Sequence, residues 1–249
     1  METLAIVLAG GKGTRMKSEL PKVLTPVLGK PMVTYPLDAL KAAGVTRFLI
    51  VVGHQAERVK AALADRENTE FVLQAEQKGT GHAVQMCVEL LRKYAVGPQT
   101  PVVIVAGDAA LMQAETIAEL LADWHQKPAA CLLGTILVQN PKGLGRILRD
   151  ADGRFTGIVE EKDATPEQRE IHEVNQSYYV FNVPDLLEVL DELRPNNAQG
   201  EYYITDAPAL LLARGKEVRA LPVLRPIEAV SVNTPEELAT VEQMMRDQR

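Results

Sequence analysis

The order of its apolar segments constrains this chain more than any other feature. Over the first half, short β-rich runs alternate with segments of helical periodicity. Residues 3–9, 47–53, 70–74, 101–106 and 131–138 read as strands, several continuously apolar, as strands buried on both faces are. Residues 31–43, 55–64, 80–94 and 113–125 carry apolar side chains at three-and-four spacing, as in Val84, Cys87, Val88 and Leu91. This alternation predicts an α/β fold with a mostly parallel, doubly wound, Rossmann-like sheet and helices on both of its faces.

The second half changes character. Residues 146–148 and 155–159 flank Asp150-Ala151-Asp152-Gly153, a strong hairpin turn, so antiparallel pieces are expected as an insertion that makes the sheet mixed. A short polar helix at 166–171, a strand at 177–183, helices at 184–193 and 204–213, and a strand at 217–223 follow. Thr234-Pro235-Glu236-Glu237 then opens a last helix with a capping hydroxyl, proline at the first helical position and glutamate three residues after the cap. With 249 residues, 46% hydrophobic, the chain can bury one sizeable core, and disorder is excluded.

No apolar run approaches the ~18 residues needed to cross a bilayer, and Met1-Glu2-Thr3 supplies no basic region before the first apolar run. A soluble, cytoplasmic protein is the expectation. Cys87 and Cys131 stand apart with no CxxC spacing and read as reduced core residues. A net charge of −6 disfavours nucleic acid or an anionic membrane as partner. Locally the sign reverses: Lys12, Arg15, Lys17, Lys22 and Lys30 face a single acid, Glu19, which suits a small anion.

That basic segment begins where strand one runs into Leu8-Ala9-Gly10-Gly11-Lys12-Gly13-Thr14-Arg15-Met16. The carboxyl edge of a parallel sheet is where ligands bind, and glycines let backbone N–H groups approach phosphate closely. A plain tight turn is the alternative. The dinucleotide fingerprint lacks its third glycine, no helix is expected to open there, and the Walker pattern is absent. Through Leu20-Pro21-Lys22-Val23-Leu24, Pro26 and Pro31 the segment reads as a long basic flap, with Lys22 either aimed inward or solvated.

At the end of the fourth strand, Val105-Ala106-Gly107-Asp108 returns a glycine and a carboxylate to the same edge. Mg²⁺ takes hard oxygen ligands, and Asp108 with the amide oxygen of Asn233, completed by substrate phosphate, would suffice. Asp108 as a helix cap and Asn233 as a turn residue are the plainer readings. Gln74-Ala75-Glu76-Gln77-Lys78-Gly79-Thr80-Gly81-His82 offers amides and backbone N–H groups suited to a planar base edge, or merely a capped helix start. His54, His82, His125 and His172 form no zinc spacing, and no Gly-x-Ser-x-Gly elbow is present, so acyl-transfer hydrolysis has no support. Tyr178, Tyr179, Tyr202 and Tyr203 serve either core packing or a sugar-contacting wall.

Taken together, the glycine loop and Leu20-Pro21-Lys22-Val23-Leu24 resemble the signature of the sugar-phosphate nucleotidyltransferase family. Leu73-Gln74-Ala75-Glu76-Gln77, Gly79-Thr80-Gly81-His82-Ala83, Gly157-Ile158-Val159-Glu160 and Asn197-Ala198-Gln199-Gly200-Glu201-Tyr202-Tyr203-Ile204-Thr205-Asp206 are more particular. They resemble the uridylyltransferase domains of the bifunctional N-acetylglucosamine-1-phosphate uridylyltransferases. The resemblance implies a nucleotide-diphospho-sugar transferase fold in one domain, with a nucleotide-binding half at about 1–112, a sugar-binding half at about 113–233 and a terminal helix at 234–249.

It further implies Mg²⁺-dependent transfer of UMP from UTP to a sugar 1-phosphate, releasing pyrophosphate. Ala9, Gly10, Gly11, Gly13, Thr14, Gln74, Gly79, Thr80 and Gly107 would bind the nucleotide, Arg15 and Lys22 the triphosphate, and Asp108 and Asn233 the metal. Gly145, Glu160, Asn175, Tyr203 and Thr205 match positions around the sugar. Three departures stand out: Asp108-Ala109-Ala110-Leu111 lacks the usual proline, Leu144 replaces an aromatic, and Asn175-Gln176-Ser177 replaces Asn-Thr-Gly. The last two lie on the sugar side, so another hexose 1-phosphate, or dTTP in place of UTP, is the alternative within the class. A catalytically silent nucleotide-sugar-binding module is the alternative outside it. The chain ends at Arg249 without the hexapeptide repeats of an acetyltransferase, so acetyl transfer is not expected and the oligomeric state stays open.

Overall fold

A computed structural model describes residues 2–16 and 18–247. Lys17, part of the basic segment, and residues 248 and 249, the end of the expected last helix, lie outside the described residues, as does Met1. The strands and helices follow in chain order as β1 (Leu4–Ala9), β2 (Pro26–Val27), β3 (Lys30–Pro31), α1 (Thr34–Ala42), β4 (Arg47–Val52), α2 (Ala56–Ala62), β5 (Thr69–Leu73), α3 (Thr80–Gln85), α4 (Val88–Tyr94) and β6 (Pro101–Ala106). Then come α5 (Ala114–Gln126), β7 (Cys131–Leu137), β8 (Gly145–Arg149), β9 (Phe155–Val159), α6 (Pro166–Arg169), β10 (Glu173–Asn182), α7 (Val183–Val189), α8 (Ala207–Ala213), β11 (Val218–Leu221) and α9 (Pro235–Asp247).

The main sheet has the order β11-β7-β10-β6-β1-β4-β5. β6, β1, β4 and β5 pair in parallel, as do β7 and β11, while β10 runs antiparallel to both β6 and β7. The mixed, mostly parallel sheet expected from the sequence is thus observed. Its central strands are apolar throughout because both faces are covered. Leu4, Ile6, Val102, Ile104, Tyr179 and Phe181 face one buried cluster, and Ala5, Val7, Val103, Val105, Tyr178 and Val180 face the other.

β10 changes neighbours along its length. Val174 and Asn175 pair with β8, whereas Tyr179 to Asn182 pair with β6, and the register against β7 slips between Asn175 and Tyr178. Ser177 sits in this bulge at φ +59°, a left-handed conformation that non-glycine residues rarely adopt. The strand expected at 177–183 begins four residues earlier, with the polar triplet Asn175-Gln176-Ser177 as a bulge within it.

Two other segments differ from the sequence reading. The helix expected over 80–94 is two, α3 and α4, tightened at the junction where Cys87 N–H donates to the Val84 carbonyl three residues back. The basic flap is folded: single 3₁₀ turns at Thr14–Met16 and Lys22–Leu24 precede the β2–β3 hairpin. A third cluster, containing Met16, Val27, Met32, Leu111, Val232 and Val241, pins this segment beneath α9. Leu28 N–H also donates to Glu242 at 2.9 Å. Cys87 and Cys131 are buried free thiols, as expected, and burial pushes the Cys87 thiol up to about 12. Among the described residues, no helix is long and apolar enough to cross a membrane.

The segment before α8 folds back on the start of α3. Gly81 N–H donates to the Tyr202 carbonyl at 2.7 Å and Tyr202 N–H to the Lys78 carbonyl at 2.8 Å. Gly79, at φ +108°, lies so close that a Cβ there would sit 2.5 Å from the Tyr202 carbonyl oxygen. Gly79→Ala combines strain and overlap and is expected to cost about 2–6 kcal/mol, lowering the midpoint of thermal unfolding by about 5 °C or more. Gly200→Ala, at φ +64° with nothing within 4 Å of its Cβ, should lose only about 1–2 kcal/mol. Equal midpoints for the two variants would show that this interlock contributes little.

Candidate active site

β1 and β6 are parallel neighbours, so their carboxyl ends deliver Gly10 and Asp108 to one edge. Gly107 N–H donates to the Leu8 carbonyl at 2.9 Å, and a Cβ at Gly107 would approach that oxygen to 3.0 Å. Glycine here is what lets the two strand ends close. Ala9, Gly13 and Gly107 shape the edge from behind, whereas Gly10, Gly11, Lys22, Gln74, Gly79 and Thr80 line a cleft of about 280 Å³. Gly13, at φ +62°, packs directly on Lys22, and a Cβ there would fall 2.4 Å from the Lys22 Cβ. Thr14 belongs to the 3₁₀ turn that follows.

Gln74 is buried at the end of β5, its Nε2 donating to the Gly79 carbonyl at 3.0 Å. The Thr80 hydroxyl accepts from Ile204 N–H at 3.1 Å. The cleft wall is therefore tied to the chain that precedes α8.

Lys22 points inward. Its Nζ pairs with the Asp108 carboxylate and donates to Asn233 Oδ1 at 2.8 Å. Arg15 donates to the same Asn233 oxygen at 2.9 Å. Asn233 is held in turn by Glu237, whose Oε2 accepts from the backbone N–H of Asn233 at 2.6 Å and of Thr234 at 3.1 Å. Asp108 does not cap α5, which starts six residues later; its carboxylate and the Asn233 amide oxygen converge on one positive charge. Two hard oxygens aimed at a cation form the donor set that a small divalent ion takes. Among the described residues no three His, Cys, Asp or Glu side chains converge, so further ligands to such an ion would come from substrate and water.

A second cleft, about 220 Å³, opens beside the first and is lined by Gly145, Glu160 and Asn175. Thr205 and Tyr203 are buried behind it: the Thr205 hydroxyl bonds to Glu160, and the Tyr203 hydroxyl accepts from Gln199 Nε2 at 2.6 Å. Of the five positions matched on the sugar side, three face the cleft and two support it. Arg15 opens onto a wider channel of about 600 Å³ that also reaches Glu160 and Lys162. Ala106, Asp108 and Ser177 line both clefts.

Gln77, in the amide-bearing segment read from the sequence, lines the first cleft, whereas sequence reasoning did not select Ser177 or Glu201 for it, nor Glu228 for the second. Glu228 is buried and accepts from Gln113 N–H at 3.0 Å and the Thr116 hydroxyl at 2.6 Å, so it braces the wall. A lone glutamate before a helix gives no sign of such a role. A wide hollow, about 890 Å³ beside β11, lies away from these residues, and its cations are held by Glu173, Glu217, Asp123, Asp152 and Asp185.

Burial raises the pKa of Glu160 above the ordinary carboxylate range, opposed in part by the Thr205 hydrogen bond. A carboxyl whose folded pKa is raised holds its proton more tightly when folded. Its ionisation therefore costs stability at neutral pH, and that cost disappears as pH falls through the folded value. Glu160→Gln is expected to unfold at a higher temperature than the parent at pH 7, with the difference shrinking towards pH 4. A difference that stays constant with pH would contradict the burial of this charge.

A profile of the family described as nucleotidyl transferase matches residues 4–223. The bifunctional protein GlmU of Desulfitobacterium hafniense strain DSM 10664 / DCB-2 is 42% identical over 242 residues, 97% of this chain and 52% of that protein. The proteins of the same name from Geobacter metallireducens and Enterococcus faecalis are each 43% identical, over 94% and 97% of this chain and 48% and 51% of their own lengths. This chain thus spans about half the length of these relatives. A crystal structure of a UDP-glucose pyrophosphorylase complexed with UDP-glucose superposes over the whole of both chains with a TM-score of 0.76 at 20% identity, a likeness of fold. With the family profile covering most of its length, this chain belongs to the nucleotidyl transferase family.

Proposed function

We propose that this chain transfers UMP from UTP to N-acetylglucosamine 1-phosphate, giving UDP-N-acetylglucosamine and pyrophosphate. The observation that carries this reading is the meeting of two clefts at Asp108, beside the cationic point made by Lys22 and Arg15. The likeness to the bifunctional relatives over nearly the whole chain supports it. Uracil and ribose are assigned to the cleft of Gly10, Gly11, Gln74, Gly79 and Thr80. The sugar is assigned to that of Gly145, Glu160 and Asn175, with Tyr203 and Thr205 fixing the wall.

The chemistry needs no protein nucleophile. A phosphate oxygen of the sugar 1-phosphate attacks the α-phosphorus of UTP, that P–O bond forms as the bond to the β-phosphate oxygen breaks, and pyrophosphate leaves. Positioning and charge neutralisation therefore carry the rate. Arg15 and Lys22 hold triphosphate oxygens and offset the repulsion between two anionic substrates. Asp108 and Asn233 are the residues that would hold Mg²⁺, which, when bound, withdraws charge from the phosphates. Glu160, ionised, accepts hydrogen bonds from sugar hydroxyls, and Asn175 offers its amide to the same ring.

A second reading, uridylyl or thymidylyl transfer to another hexose 1-phosphate, is favoured by Leu144, Gln176 and Ser177, which line the sugar-side cleft and depart from the family pattern. Pyrophosphate release with UTP or dTTP and the 1-phosphates of N-acetylglucosamine, glucose and galactose separates the two. Fastest turnover is expected with UTP and N-acetylglucosamine 1-phosphate, abolished by chelation of divalent cations. Turnover confined to another pair would move the assignment to the second reading. Asp108→Ala and Arg15→Ala should each lower kcat by ~100-fold or more, the scale of removing one electrostatic donor. Near-full turnover in either variant would remove that residue from the mechanism.

A further inference from the structure

The bulge in β10 places an unusual residue where the substrates meet. Among the described residues Ser177 lines both clefts, as do Asp108 and Ala106, and alanine has no polar side chain to offer. The φ of +59° at Ser177 is a conformation with a steric cost for a residue bearing a Cβ. Such strain persists where surrounding structure imposes it, and here the bulge is tied to the core. Ser177 N–H donates to Asn175 Oδ1 at 3.1 Å, Asn175 Nδ2 donates to the Tyr179 hydroxyl at 2.7 Å, and Tyr179 is fully buried.

The Ser177 side chain is a hydrogen-bonding neighbour of the Tyr179 hydroxyl, which already accepts from Asn175. A serine hydroxyl rotates to suit its acceptor, so a substrate oxygen arriving at the junction can take its proton. Phosphate oxygens only accept, so a hydroxyl donor at this point suits the phosphate of an incoming sugar 1-phosphate.

We propose that the Ser177 hydroxyl, placed between the two clefts by the β10 bulge, donates a hydrogen bond to a phosphate oxygen of the sugar 1-phosphate, and so helps set which sugar phosphate is accepted. This rests on the two-cleft reading of the substrates. No covalent step involves the serine: its O–H bond is kept while the sugar phosphate oxygen displaces pyrophosphate.

Ser177→Gly removes the hydroxyl and relieves the backbone strain, while Ser177→Ala removes the hydroxyl and keeps the strain. Both should lower kcat/KM for the sugar 1-phosphate by about 10-fold to 100-fold, the range for a hydrogen bond to a charged group. Affinity for UTP alone should be unchanged, and Ser177→Gly should unfold no earlier than the parent. Wild-type kcat/KM in Ser177→Gly would overturn the proposal, as would an equal loss of UTP affinity, which a merely structural role produces. The parent is assayed beside the variants on the full sugar panel, so a different preferred sugar refutes the substrate assignment without touching Ser177. If the parent turns over no pair, calorimetric affinity for UDP-N-acetylglucosamine decides. A loss of about 10-fold or more in both variants supports the donor, and equal affinity, or no binding by the parent, overturns it.

Discussion

One ammonium group organises this site. Lys22 Nζ, its side chain only 13% exposed, joins a residue after β1, a residue after β6 and a residue before α9 through Asp108 and Asn233. These positions are far apart in sequence, and what brings them together is packing of the folded flap under α9, through Met16, Val27, Met32 and Val241. A charge so enclosed needs its partners, because an unpaired buried ammonium is costly. On the proposed function, the same arrangement is where phosphate and a divalent cation would bind, their charges exchanging with those already present.

The second constraint is the fork in β10. A strand that pairs with β8 in its first part and with β6 in its second must separate those two neighbours, and the second cleft opens between them. The first cleft lies where ligands bind in parallel sheets, at the carboxyl ends of β1 and β6. Neither cleft belongs to one half alone, since Ser177 and Glu201 reach the first and Ala106 and Asp108 reach the second.

Much of this was legible in the sequence because it rested on local rules. Alternating apolar runs specified the parallel strands, and glycines at strand ends marked Gly10 and Gly107. A carboxylate at the end of an apolar strand marked Asp108 and an amide-bearing segment after a strand marked Gln74, whereas Glu160 came only with the family resemblance. What escaped depended on long-range packing. Three prolines made the segment read as a long basic flap with no element of its own named, yet one hairpin and two single turns hold there, packed on the third cluster. Unbroken periodicity across Met86 and Cys87 gave no sign of the break between α3 and α4. Ser177 escaped because a polar triplet inside a strand carries no period, and a positive φ on serine is fixed by its neighbours rather than by its own preference.

The central claim is direct displacement, with both substrates present together and no uridylylated protein in between. Exchange of labelled pyrophosphate into UTP tests it most directly, measured with Mg²⁺ in the presence and absence of N-acetylglucosamine 1-phosphate. The account predicts exchange only when the sugar phosphate is present, because the nucleotidyl group has no other acceptor. Comparable exchange without any sugar phosphate would mean that a side chain of the protein accepts the uridylyl group, and would contradict the mechanism derived from these two clefts.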